Sequence, residues 1–147
     1  MMKNNKGITL IIVIMTVILL TILMGLIITS SIDTYYSSKF VSFETNIKLI
    51  QKKVDMALEE RIDYETLGQP LNDEQKAKLA EIIANDNNNM ISTEDPTAET
   101  LRYFSSNDIK EDFELSDIRG EFVINFANRE VISLEGAEKD NVMYYTI

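Results

Sequence analysis

No charged residue stands between Lys6 and Asp33, and positions 8 to 28 form a mostly apolar run, from Ile8-Thr9-Leu10 to Leu26-Ile27-Ile28. About 20 such residues at 1.5 Å per residue match a hydrocarbon core roughly 30 Å thick. A helix is the conformation expected of them in lipid, because it satisfies each backbone N–H and C=O internally. Lys3 and Lys6 precede the run and the acidic bulk of the chain follows it. That asymmetry predicts a single-pass protein of the cytoplasmic membrane, with a cytoplasmic N-terminus and everything from Asp33 outside. The run is too long for the apolar core of a cleaved secretory signal, although Thr29-Ser30-Ser31 imitates its small-residue cleavage site.

Beyond the run, spacing predicts that the helix continues. Tyr36, Phe40, Phe43, Ile47, Ile50, Val54, Leu58 and Ile62 recur at steps of three and four, with Lys48, Gln51, Lys52, Asp55 and Glu59 on the other face. A coiled coil is the weaker reading of this stripe, because Leu does not recur at regular d positions. The nearest downstream punctuation is Leu67-Gly68-Gln69-Pro70, so the amphipathic extension is expected over 33–67.

Segment 68–111 reads as an insertion of helices and loops. Asn72 with Gln75 three residues later marks a helix start, with Leu79, Ile82 and Ile83 turned inward. The run Asn85-Asp86-Asn87-Asn88-Asn89 is rich in oxygen ligands, but it lacks the spacing of a calcium loop and reads as a solvated loop. Asp95-Pro96 is expected to open a short helix anchored by Leu101, Tyr103 and Phe104.

The last third, 112–147, changes period. Phe113, Leu115 and Ile118 suggest a first strand. Phe122, Ile124 and Phe126 alternate with Glu121, Val123 and Asn125, as in a half-buried strand. Turns at Ala127-Asn128-Arg129 and over 136–141 separate further runs at Glu130–Leu134 and Val142–Ile147. The fold class expected is α+β: a long N-terminal helix packed through Phe40, Phe43, Ile47, Ile50, Val54 and Leu58 on Phe122, Ile124 and Phe126 of a small antiparallel meander.

Composition narrows function. Roughly 115 residues follow position 32, enough for one small domain. Fourteen basic against 24 acidic side chains give a net charge of −10. That balance argues against nucleic-acid binding, which needs clustered Lys and Arg. Cys and His are both absent. Disulfides, thiolate zinc sites and Ser-His triads are thereby excluded. The acidic pairs Glu59-Glu60 and Glu111-Asp112 diverge in direction, and the five glycines are scattered, so no catalytic residue, cofactor or metal is expected.

Lys6-Gly7-Ile8-Thr9-Leu10 resembles the leader boundary of type IV prepilins and type II secretion pseudopilins, with Ile8 in the place of the usual Phe. The resemblance implies a leader over 1–7, a transmembrane helix over 8–32, scission between Gly7 and Ile8 by a prepilin peptidase, and N-methylation of Ile8. Loss of Lys3 and Lys6 would leave 12 basic against 24 acidic side chains. The partners implied are other pilin or pseudopilin subunits, the peptidase/methyltransferase, an inner-membrane assembly platform and the lipid bilayer. The helix would pack in a filament through Thr9, Leu10, Ile12, Thr16, Thr21 and Gly25. One position departs from the family: Ile12 stands where Glu is usual. A filament's first subunit has no predecessor's amine to neutralise, so this change points to a minor pilin at the tip. The far end, Gly120-Glu121-Phe122-Val123-Ile124-Asn125-Phe126 followed by Glu130-Val131, Gly136 and Tyr144-Tyr145, is similar to the terminal sheet of pilin-like proteins from Gram-positive bacteria. The lack of Cys leans the same way. The alternative is an unprocessed, signal-anchored accessory protein. The resemblance spans three kinds of machine: an adhesion pilus, a secretion pseudopilus and a DNA-uptake filament.

Overall fold

The computed structural model describes residues 5–147, with the side chains at 5, 6, 8 and 26–30 outside the described set. The chain divides into two compact units, the first ending at Ser38 and the second running Lys39–Ile147. Helix α1 (Asn5–Glu59) begins in the first and ends in the second.

In the second unit the elements after α1 are β1 (Gln69–Pro70), α2 (Asp73–Ala84), β2 (Leu101–Phe104), α3 (Ser106–Phe113), β3 (Phe122–Asn125), β4 (Glu130–Ser133), β5 (Ala137–Lys139) and β6 (Val142–Tyr144). Strands β1-β2-β3-β4 form one antiparallel sheet in that order, and β5-β6 form a separate hairpin. The protein is thus α+β, with a four-stranded antiparallel sheet and helices.

Helix α1 stops eight residues before the expected end at Leu67. Ile62 N–H donates to Ala57 O at 2.9 Å and Arg61 N–H to Leu58 O at 3.2 Å, with Arg61 left-handed at φ 57°. These bonds satisfy the last carbonyls of the helix without a glycine. The reversal turns Ile62 outward to 40% exposure, so it leaves the apolar stripe. Asp63 then caps a single 3₁₀ turn, Tyr64–Thr66, whose Tyr64 ring stacks on Phe126 at 5.3 Å.

The expected capping box at Asn72 is present: its side chain accepts from Gln75 N–H at 2.8 Å, and the Gln75 amide oxygen accepts from Asn72 N–H at 3.0 Å. Leu79 and Ile82 of α2 are buried.

Leu101, Tyr103 and Phe104 do not anchor a helix opened at Asp95-Pro96; they are in β2, paired with β3 from Leu101↔Asn125 to Phe104↔Phe122. Nor does Phe113 open a strand. It closes α3, which starts from a capping box between Ser105 and Asp108 and ends at left-handed Glu114 (φ 59°). The segment from 68 to 111 therefore supplies two strands of the sheet and the helix that covers one of its faces.

The sheet is buried on both sides, which the half-buried pattern did not anticipate. Phe104, Phe122, Ile124 and Val131 join Phe43, Ile47, Ile50 and Val54 of α1 and Ile109 and Phe113 of α3. Leu101, Tyr103, Val123 and Ile132, on the opposite face of the same strands, join Leu79 and Ile82 of α2. Val123 is fully buried and Asn125 is 7% exposed, where alternation placed both in solvent. The second unit is a three-layer stack: α1 with α3, the sheet, then α2 with the loop that follows it.

Gly68 shows how tightly β1 meets β2. It is left-handed at φ 56°, and a Cβ there would lie 2.6 Å from Tyr103 O and 2.7 Å from Phe104 Cζ. Arg102 clamps the same turn, donating to Leu67 O, Glu65 O and Gly68 O. The expected turn over 136–141 is narrower than its span suggests. Only Asp140-Asn141, both left-handed, connects β5 to β6, as in a two-residue type I′ hairpin.

Candidate assembly surface

In the first unit, every large apolar side chain from Leu10 to Met24 is at least half exposed, Ile12 at 58%. Complete burial of each would release roughly half of the about 1.5–3 kcal/mol that a fully exposed side chain of this kind gives. An uninterrupted apolar surface of this extent is far beyond the isolated exposed Leu or Ile of ordinary surfaces, and it marks a binding or membrane surface. The polar groups within it are self-satisfied. Thr16 Oγ1 donates to Ile12 O at 2.6 Å and Val13 O at 3.0 Å, and Thr21 Oγ1 to Val17 O at 2.8 Å. Their hydroxyls therefore carry a smaller desolvation cost into an apolar medium. A Cβ at Gly7 or Gly25 would meet nothing within 4 Å.

Lys3 lies outside the described residues. So do the side chains of Lys6 and Ile8, although their backbones belong to α1. Among the described residues, no helix is long and apolar enough to cross a membrane. The run of 8–28 begins and ends at positions whose side chains lie outside that set, so a span over 8–32 rests on sequence.

The second unit gathers the other selected residues into one place. Phe43, Ile47, Ile50, Val54, Phe122, Ile124 and Phe126 are buried together, with Phe40 and Leu58 packed at the margin. Phe40 meets the Tyr144 ring edge-on at 5.1 Å, and Lys139 Nζ sits 4.9 Å from its centroid.

An open groove of about 430 Å³ is lined by Tyr103, Ser105, Ser106, Asn107, Gly120, Glu121 and Glu135. Its polar atoms largely serve the fold. Ser106 Oγ accepts from Gly120 N–H and donates to Gly120 O, and Tyr103 OH donates to Glu121 Oε1 at 2.6 Å. Burial first, and the Glu121 carboxylate second, push the Tyr103 phenol up to about 12. Because the folded state holds this proton more tightly than the unfolded one, the associated stability is complete below pH 10 and lost as pH rises through 12. Tyrosinate absorbance is expected to show a component titrating near pH 12 that Tyr103→Phe removes. Its persistence in that variant would reassign it to another tyrosine.

No group of three or more acidic side chains gathers to hold a metal among the described residues. In the Asn-rich loop, Asp86 Oδ2 is engaged by Ile91 N–H at 2.8 Å.

A buried polar network escaped the sequence reading. Glu130, 8% exposed, accepts from Ser92 N–H, Thr93 N–H and Thr93 Oγ1, while Asn125 Nδ2 donates to that same Thr93 oxygen. The one signal for it was polar residues placed immediately either side of a hairpin turn, where solvated side chains are the common case. No family model, curated protein or solved structure matches the chain.

Proposed function

We propose that the protein is a structural subunit of a type IV pilus-like, type II secretion or competence-type filament, matured by scission after Gly7. The observation that carries this reading is the charge-free apolar surface from Leu10 to Met24, exposed on a helix that continues into a packed α+β unit. In this reading the run lies in the cytoplasmic membrane before assembly and in the filament core afterwards, where helices replace lipid as its apolar surroundings. The second unit lies outside the membrane and, after assembly, at the cell surface. The subunit acts by packing, with no catalytic residue and no cofactor.

Ile12 favours a position at the filament tip within this reading. A carboxylate there would need a partner in an apolar environment, and the chain carries none. The second reading, an unprocessed signal-anchored accessory protein, draws on the same apolar run.

Intact mass distinguishes the two. Protein purified from membranes of cells with an active prepilin peptidase is expected to lack Met1–Gly7 and to carry one added methyl group on Ile8. Gly7→Val is expected to retain the leader. Wild-type chain keeping Met1–Gly7 would overturn the filament reading in favour of the anchored one. A chain starting after Ser31 would make it a secreted domain.

A further inference from the structure

The buried cluster around Thr93 holds the parts of an acyl-transfer centre. Thr93 is 4% exposed, Asn125 7% and Glu130 8%, where the loop after α2 meets β3 and β4. The Thr93 hydroxyl donates to Glu130 Oε2 at 2.5 Å. That contact is the one through which a carboxylate takes the proton of an oxygen nucleophile.

Beside the same hydroxyl stands an amide. Asn125 Nδ2 lies 3.0 Å from Thr93 Oγ1, and Asn125 Oδ1 accepts from Thr100 Oγ1 at 2.9 Å and from Ala127 N–H at 3.0 Å. Two donors on that oxygen stabilise the negative charge it gains when its carbon is attacked. With a C–N bond of about 1.33 Å, Thr93 Oγ1 is within about 4.3 Å of Asn125 Cγ. Reaching the roughly 3–3.5 Å of a near-attack geometry takes a small shift of Oγ1 from the edge of the amide onto its face. Thr93 lies between α2 and β2, outside any helix or strand, so the shift breaks no ladder bond.

We propose that Thr93 and Asn125 react with each other in the folded chain to form a side-chain ester, with Glu130 as general base. Thr93 Oγ1 attacks Asn125 Cγ and passes its proton to Glu130. Thr100 Oγ1 and Ala127 N–H hold the oxyanion at Oδ1. The proton then goes from Glu130 to Nδ2, the Cγ–Nδ2 bond breaks, and ammonia leaves. One O–H and one C–N bond are exchanged for one C–O and one N–H bond, with no oxidant, metal or co-reactant. Ammonia escaping to solvent draws the exchange forward, and burial keeps water from hydrolysing the product. The event happens once per chain and consumes the amide, so the subunit gains a staple and no turnover. The ester would tie the loop after α2 to β3 in a chain that has no cysteine to do so, constraining the unfolded state as a disulfide does.

Trypsin cuts after Lys78, Arg102, Arg119 and Arg129, which puts Thr93 in peptide 79–102 and Asn125 in peptide 120–129. Full-length chain in detergent micelles is held folded in neutral buffer over days, then unfolded, digested and weighed. Its mass is expected to be one ammonia below that of its sequence, whichever N-terminus it carries, with the two peptides joined. Hydroxylamine is expected to separate them, as it does esters and not amides. Thr93→Ser is expected to keep the link, Thr93→Val to abolish it, and Glu130→Gln to slow it at least about a hundredfold, with near-ultraviolet circular dichroism checking that each variant is folded. Wild-type chain at full mass with two separate peptides overturns the proposal, and that outcome needs no variant to fold. Loss of ammonia without joined peptides also overturns it, since Asn125 would then have closed on its own backbone. Joining at the wild-type rate in Glu130→Gln overturns the assignment of Glu130 as base.

Discussion

Phe104→Ala is expected to cost the second unit about 3–5 kcal/mol, the range for truncating a buried aromatic residue. Phe104 is fully buried at the end of β2. Its ring stacks on Phe113 with centroids 5.3 Å apart and lies 6.3 Å from Phe126. Removing it opens a cavity where β2, α3 and β3 meet, and α3 loses a main contact of the side chain that closes it. A domain of this size is stable by about 5–15 kcal/mol, so the loss is a large fraction of the total. Urea unfolding of the full chain in mild detergent, followed by near-ultraviolet circular dichroism of its tyrosines, is the measurement. Four of the six tyrosines, Tyr64, Tyr103, Tyr144 and Tyr145, lie in the second unit, and the signal does not follow the helicity of the apolar run. A sharply lowered midpoint is expected for Phe104→Ala and a smaller shift for Phe104→Leu, which keeps much of the volume. An unchanged midpoint in Phe104→Ala would remove this residue from the centre of the core.

Glu130→Ala is expected to cost about 3 kcal/mol by a different mechanism. The Glu130 carboxylate accepts from Ser92 N–H at 2.6 Å, Thr93 N–H at 2.8 Å and Thr93 Oγ1 at 2.5 Å. Thr93 is itself 4% exposed. Alanine leaves the two Thr93 donors buried without an acceptor, and the desolvation cost of each is then uncompensated, whereas Ser92 is exposed and its N–H can turn to water. The effect should be local first, because Glu130 ties the loop after α2 to the edge of the sheet. Amide hydrogen exchange at Ser92 and Thr93 is expected to lose protection before the β-sheet amides do. Glu130→Gln keeps one carbonyl acceptor and is expected to lose less. If exchange at Ser92 and Thr93 is unchanged in Glu130→Ala, the carboxylate does not hold the loop.

The two substitutions also show where sequence reasoning succeeds in this chain and where it stops. The stripe from Phe43 to Val54 is legible because its period belongs to one helix and needs no knowledge of what lies opposite. The capping box of Asn72 and Gln75 is legible for the same reason: the bonds close within four residues. The apolar run of the candidate assembly surface is the clearest feature of all, since absence of charge over so long a stretch admits few environments.

Nothing local marks Phe104 as a strand residue, because four residues hold no distinguishable period. What makes Leu101–Phe104 a strand is its pairing with Phe122–Asn125, some twenty residues away. Ser105-Ser106-Asn107-Asp108 carries a local helix-start signal, yet the spacing of the apolar Phe113, Leu115 and Ile118 beyond it suggests a strand. Glu130 looked like a solvated turn residue until the loop at Ser92 came to lie over it. Val123 and Asn125 show the general reason. Alternation along a strand reports which residues share a face, but not whether the second face is covered. The chain by itself determined the long helix, its uncharged half and the β character of its end. Tertiary structure alone decided that α2 closes the far side of the sheet, because that contact joins residues distant along the chain.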